Sequence, residues 1–287
     1  MSSLTRQTHV INVGQNHIVP GTNNTILQYN FKRNMVFGNN ARIAMAKYIG
    51  YNSIKNITAA LGNNTYQIVW YDAGGAMAPI TITIPDGNYS FVDLNLYLQY
   101  ICIQNSLYLI DAAGDYVYYL EFPIVNQSAY KCELRSYPIP TALPGGYTEP
   151  PGWPGYPAVA TTPQIIIPAG GFATLTGFSA GTYPSVVQTS IYEVLGTAAP
   201  QIDPNATINV LCNMVNNDFT DPTTLLYVVA TQGAVGEQYI VSPPEYAWAT
   251  IPQGSYSNLQ IRLVNAQTNA PIVIADPNMN ILIVIEA

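Results

Sequence analysis

Charge is what this sequence has least of. Asp, Glu, Lys and Arg together make up 9% of its 287 residues, against roughly 25% in an average soluble domain. Histidine is almost absent, with His9 and His17 the only two. Neither has a second His or Cys at ligand spacing, so a zinc site or a His-based catalytic triad is not expected. The three cysteines, Cys102, Cys132 and Cys212, are odd in number and far apart. They read as buried thiols in a reducing compartment, not as a disulfide framework or a metal knuckle. There is no charged and apolar leader pattern at the N-terminus and no apolar run long enough to span a bilayer. A soluble chain without a transmembrane segment is therefore the expectation. No Walker loop or dinucleotide fingerprint is present, and Gly74-Gly75 and Ala169-Gly170-Gly171 read as short turns without phosphate specificity. No cofactor and no metal site is expected.

The sequence is rich instead in Tyr (22), Pro (22) and Gly (21). Many tyrosines with few charges are typical of the centres of protein interfaces, which points to association. A surface of Asn, Gln, Ser and Thr is the alternative. The net charge of −7 and a pI near 4.6 argue against duplex DNA as the main ligand and give no expectation of specific nucleic-acid recognition. The charge is unevenly placed. Arg6, Lys32, Arg33, Arg42, Lys47 and Lys55 fall in a leading segment without a single acid, a charge of +6. From Asp72 onward sixteen acids face only Lys131, Arg135 and Arg262, a charge of −13. Two readings stay open: contact between copies through Arg6, Lys32, Arg33 and Arg42, or neutralisation within one chain.

Along the chain, period-two alternation dominates. Strands are expected over 25–31, 41–49, 65–71, 79–84, 107–111, 116–122, 129–137, 164–167, 186–195, 206–212, 224–230, 257–264, 271–274 and 280–285. The stretch PITITIPDGNYSFVDLNLYLQYICIQN over 79–105 contains the one convincing helix. Ile80, Ile82 and Ile84 alternate with Thr81 and Thr83, and Pro85-Asp86-Gly87 then ends the strand. Ser90 with Asp93 forms an N-cap and capping-box pair. Phe91, Leu94, Leu98 and Ile101 would line its packed face, leaving Asn95 and Gln99 wet. Residues 1–24 read as an extended arm. Nine of the prolines fall between Tyr137 and Gly171, including Trp153-Pro154 and Tyr156-Pro157, so 138–170 reads as a stiff insertion loop. Six N-x-S/T sequons, at Asn23, Asn56, Asn63, Asn88, Asn126 and Asn205, are expected of any Asn-rich sequence. The class is all-β: a sandwich or barrel with one short helix, an N-terminal arm and a Pro-rich insertion.

Four segments, in order, resemble the penton (minor capsid) proteins of virophages, polinton-like viruses and related large DNA viruses of the double-jelly-roll lineage. They are ARIAMAKYIGYNSIKNITAALGNNTYQIVWYD at 41–72, ITIPDGNYSFVDLNLYLQ at 82–99, GGFATLTGFSAGTYPS at 170–185 and YSNLQIRLVNAQTNAPIVIADPNMNILIVIEA at 256–287. The resemblance implies a single jelly-roll β-sandwich, over 25–287 with the Pro-rich insertion at 138–170. It implies a non-enzymatic structural protein of the virion capsid, made in the host cytoplasm. Five copies would form a homopentamer at each icosahedral vertex, beside the hexon-like capsomers of the major capsid protein, with minor capsid or fibre proteins as further partners.

Two other functional classes remain open. A carbohydrate-binding jelly roll for host attachment would use Trp153, Tyr156, Tyr246 and Trp248 to stack on sugars. A β-sandwich glycosidase would need a carboxylate pair drawn from Asp72, Asp86, Asp111, Asp115 and Glu121, although turn-forming Asp is the usual explanation at such places.

Overall fold

The computed structural model describes residues 7–203, 207–233 and 236–287. It is an all-β protein with few helices, and it divides into two compact units. The first combines both ends of the chain, Met1–Lys55 and Asn205–Ala287; the second is the middle, Asn56–Pro204.

The first unit has eight principal strands, numbered in chain order: β1 (Thr8–Gly14), β2 (Ile26–Phe37), β3 (Arg42–Tyr51), β4 (Thr207–Cys212), β5 (Leu225–Ala230), β6 (Gln238–Val241), β7 (Gly254–Asn265) and β8 (Asn280–Glu286). All pairings are antiparallel. One sheet runs β1-β8-β3-β6, with Ala249–Thr250 continuing the β6 side of β3; the other runs β5-β4-β7-β2. Eight strands in these two orders are a jelly roll, read from the strand connections alone. The expected single jelly roll is therefore present, and the second unit is inserted in it between β3 and β4.

Alternation explains the core. Ile281, Ile283 and Ile285 of β8 meet Leu259, Ile261 and Leu263 of β7 and Ile208 and Val210 of β4 in one apolar cluster. Each fully buried aliphatic side chain of this kind contributes about 1.5–3 kcal/mol. On β3 the inward set is Ile43 and Met45 but then Tyr48, a change of parity. The register supplies the reason: Ile283 faces Met45 and Leu282 faces Lys47, so Ala46 is the extra residue of a bulge.

The second unit has its own core. A four-stranded sheet orders Gly181–Tyr183, Gln164–Ile167, Thr65–Val69 and Ile80–Thr83, and a three-stranded one Leu120–Asn126, Lys131–Ser136 and Tyr192–Leu195. Helix α1 (Phe91–Gln104) packs on Leu120–Asn126, and α2 (Gly171–Thr176) is short. Trp70, Tyr66, Phe122, Phe172 and Phe178 make this core markedly aromatic. The Tyr66 and Phe172 rings stack at 4.7 Å and 13°.

The capping box forms as expected: Ser90 N donates to Asp93 Oδ2 at 2.8 Å and Asp93 N to Ser90 Oγ at 3.2 Å. Ser90 Oγ also donates to Asp93 Oδ2 at 2.7 Å, and this bond together with that from Ser90 N holds the Asp93 carboxyl below its usual range. Leu94, Leu98 and Cys102 are the buried positions of α1. Asn95, expected to be wet, instead accepts a hydrogen bond from Phe122 N at 2.9 Å and ties the helix to the strand beneath it.

Several boundaries need correction. The arm expected over 1–24 meets a strand: Thr8–Gly14 pairs along its whole length with β8, from Thr8 opposite Glu286 to Gly14 opposite Asn280. Its short His-Val-Ile-Asn-Val alternation gains a partner some 270 positions away, beyond the reach of local pattern. The Pro-rich insertion 138–170 is part of the much larger insertion 56–204, and it does not hang free of its unit. Ile139 bridges Thr161, Thr148 bridges Ile110, and Gln164–Ile167 is an interior strand. Residues 271–274 form only isolated bridges, Pro271 with Val264 and Ile274 with Ile54.

Candidate functional site

For a chain with so few catalytic groups, the site to examine is its surface, beginning with the cations. Arg6 lies outside the described residues. Arg42 is engaged within its own chain: its guanidinium meets Glu286 Oε2 through Nη2 at 2.7 Å and Nε at 2.8 Å, and sits 4.3 Å over the Trp248 ring. β3 and β8 pair Arg42 directly opposite Glu286, so cross-strand register makes this contact. Lys32 and Arg33 are exposed. They sit on a wide bulge of β2, the edge strand of its sheet, where residues 31–34 face Ser257 alone. Of the cations expected to meet a neighbour, Lys32 and Arg33 are exposed, and Arg42, its side chain 35% exposed, is paired with Glu286 of its own chain. Grouped by unit, the charges also rearrange. The jelly-roll unit holds seven cations and six acids, a net of +1; the inserted unit holds two cations and ten acids, a net of −8.

Apolar surface is abundant. On α1, Val92, Leu96 and Tyr100 recur every four residues and are 66, 55 and 51% exposed, although such a stripe on a helix is ordinarily covered. In the jelly roll, Val36 is 78% and Phe219 98% exposed. Beside β2, Val10, Ile11, Tyr29, Phe31, Met35, Phe37 and Ile285, with His9 as the one ionisable member besides Tyr29, line a groove of about 220 Å³ between the β1 and β2 edges.

The residues weighed for other chemistry occupy structural positions. Burial pushes the thiols of Cys102, Cys132 and Cys212 up to about 12, which leaves them protonated and unreactive. His17 Nδ1 accepts from Gly14 N at 3.1 Å, capping the turn after β1. Asp72 accepts from Gly74 N, Asp86 from Ala59 N, and Asp111 from Ala113 N and Asp115 N; Glu121 accepts from the Tyr137 hydroxyl. Among the described residues no cluster of His, Cys, Asp or Glu is arranged to hold a metal.

Gly177-Phe178-Ser179-Ala180-Gly181 matches the G-x-S-x-G spacing of a nucleophile elbow. Ser179 follows α2 instead of ending a strand, and its hydroxyl lies 3.1 Å from Thr197 Oγ1. The adjoining cavity, about 530 Å³, has only neutral groups in its lining, with Thr174, Ser179, Thr197 and Gln201 its polar side chains. A base to activate the serine is missing from that lining.

Of the aromatic residues weighed for sugar stacking, Trp153 stands edge-on to buried Trp70 at 5.8 Å, and the Tyr156 hydroxyl donates to Glu149 at 2.8 Å. Trp248 carries the Arg42 guanidinium. Tyr246, 47% exposed, is the freest of the four.

The segments quoted for the resemblance meet one another. Ser53 Oγ accepts from Asp276 N at 2.9 Å. Asn56, only 4% exposed, donates to Tyr89 O and Ile202 O and accepts from Tyr89 N. Asn63 accepts from Thr58 N and donates to Asn56 O. A Cβ at Gly171 would stand 2.5 Å from Leu61 O, so the Gly-Gly pair lets α2 close on this same loop. Burial and hydrogen bonding explain Asn56 and Asn63 without glycosylation; Asn205 lies outside the described residues.

No protein-family model and no curated protein matches the chain. Among solved structures, similar folds over nearly the whole length include a mavirus penton protein (TM-score 0.45, 9% identity, 98% of this chain and 97% of that one). Another is a chain of the Sputnik virophage particle (TM-score 0.39, 11% identity, 98% and 97%). The jelly roll itself rests on the strand order above and not on likeness at this level.

Proposed function

We propose that this chain is a penton-like structural protein of an icosahedral virion capsid, not an enzyme, five copies of which close a ring at each vertex beside hexon-like capsomers. The observation that carries this reading is a single jelly roll with a separately cored insertion, combined with a low-charge surface bearing exposed apolar groups. A jelly roll leaves its lateral edges and terminal loops free for neighbours. A cyclic ring needs two different patches on every copy. The exposed Val92, Leu96 and Tyr100 stripe suits a packed neighbour better than solvent, and Lys32 and Arg33 are exposed cations that can reach one. Arg42 serves its own sandwich. Capsomers of the major capsid protein and minor capsid or fibre proteins would meet the remaining surface, in particles assembled from chains made in the host cytoplasm.

The test is the mass of the purified protein by light scattering after size exclusion, together with imaging of the particles. A pentamer is expected. A stable monomer or trimer at every concentration, with no fivefold ring in particles, would overturn the proposal. A glycan array then becomes the natural next measurement, because a lectin-like jelly roll needs no ring.

A further inference from the structure

Two features at opposite edges of the jelly roll are complementary. The loop from β4 to β5 presents Phe219, 98% exposed, between Asp218 and Asp221. The loop is a built turn: Phe219 N donates to Asn217 Oδ1 at 3.1 Å, Asn217 N to Thr223 O at 2.8 Å, and Thr220 Oγ1 to Asn217 O and Pro222 O at 3.2 and 3.1 Å. An aromatic ring held in water by a hydrogen-bonded turn loses little entropy on docking. It leads into β5, the edge strand of its sheet. At the other edge of that sheet is β2, whose Tyr29, Phe31, Met35 and Phe37 share a mostly aromatic and aliphatic groove with His9, Val10 and Ile11 of β1 and Ile285 of β8. Lys32 and Arg33 are exposed on the β2 bulge next to Phe31. Knob and groove thus have matching polarity and opposite charge.

We infer that Phe219 of one copy inserts into the β1/β2 groove of the next, with Asp218 and Asp221 against Lys32 and Arg33. This deepens the ring proposed above and rests on it. The occupant is a second copy because the anionic aromatic knob and the cationic apolar groove belong to one chain, at opposite edges of one sheet. Two copies cannot satisfy both halves of such a contact, so it propagates head to tail and ends only when a ring closes. The apolar insertion supplies affinity, and the charges set orientation and encounter rate.

Three variants test it in the full chain. Phe219→Ala alters a side chain that is 98% exposed, so folding, checked by near-ultraviolet circular dichroism, is expected to be unchanged. The concentration at which the ring dissociates should rise about 30-fold, the size of a hot-spot truncation. Reversing Lys32 and Arg33 to Glu should weaken the ring and make it less salt-sensitive, and adding Asp218→Lys and Asp221→Lys should restore it. The pair Lys32→Cys with Asp218→Cys, which keeps Phe219 in place, should under mild oxidation give a ladder of cross-linked species ending at the ring; the native cysteines are buried and do not compete. A Phe219→Ala ring of unchanged stability, or cross-linking that stops at the dimer, overturns the contact while leaving the wild-type ring, and hence the penton reading, intact. A wild-type chain that is monomeric throughout and forms no cross-links overturns both.

Discussion

The jelly roll and the unit inserted in it are stabilised by different means. In the jelly roll, long strands whose alternation is interrupted at the β2 and β3 bulges bury Ile, Val, Leu and Met between two sheets, with buried Asn265 fastening one turn by accepting from Gln267 N and Thr268 N. In the inserted unit, strands are short and the core is built on Trp70, Tyr66, Phe122 and Phe172. Its loops are fastened by buried polar side chains: Asn56 and Asn63 in the first loop, Gln164 between the Tyr71 hydroxyl and Pro184 O, and Ser136 on Pro163 O. Alternation tolerates many apolar substitutions, whereas a buried amide tolerates almost none, since its loss leaves several backbone groups unpaired. The charges differ as well, +1 against −8, so acid should act mainly on the inserted unit.

Trp70→Ala should make the contrast sharpest. It opens a cavity where Tyr119 and Trp153 meet the indole. We expect a loss of about 3–5 kcal/mol, read by hydrogen exchange as faster exchange in 56–204 with β7 and β8 protected. Equal loss of protection in both units would mean that they unfold as one. Asn56→Ala comes next, at about 2–3 kcal/mol, because Tyr89 N, Tyr89 O and Ile202 O lose their partner together; chemical denaturation measures it. Ser90→Ala should cost about 1 kcal/mol through the lost cap of α1.

The smallest effect is that of pH. Asp93 is held low by the Ser90 hydrogen bonds, and Glu133 by Asn126 and then Arg135, partly opposed by burial. Groups whose folded pKa is depressed contribute stability above their unfolded values and lose it as pH falls through the folded ones. Melting temperature should therefore drop below about pH 4, and Ser90→Ala should flatten that dependence. An unchanged profile would mean that the cap contributes nothing through Asp93.

Local chemistry made part of this legible in the sequence. Ser90 and Asp93 lie three residues apart, and their capping box needs nothing remote. Ile281, Ile283 and Ile285 announce an inward strand face by alternation alone. The insertion boundary was hidden because Lys55 and Asn205 are linked only through the fold, and the Tyr51-to-Ile57 stretch reads as one continuous segment although Ile54 bridges Ile274 while Ile57 bridges Gly87. β6 is too short to show a period. For Arg42 the sequence leaves contact between copies and neutralisation within one chain both open, and only register sets Glu286 opposite it. Phe219 escaped notice because one Phe looks like another; the signal available was its setting, Asn-Asn-Asp-Phe-Thr-Asp-Pro, whose turn formers forbid a buried strand.

The place of β8 has a consequence for how the protein is made. It lies between β1 and β3, hydrogen-bonded to both, yet it is the last of the eight strands to be made. The inserted unit is contiguous and can complete its core while the chain is still growing, domain by domain. The jelly roll cannot: until residue 286 emerges, β1 has no neighbour in its sheet and β3 lacks one side. A chain that has passed the inserted unit but not yet reached β8 therefore carries an open sandwich with unpaired strand edges beside a unit able to complete its own core.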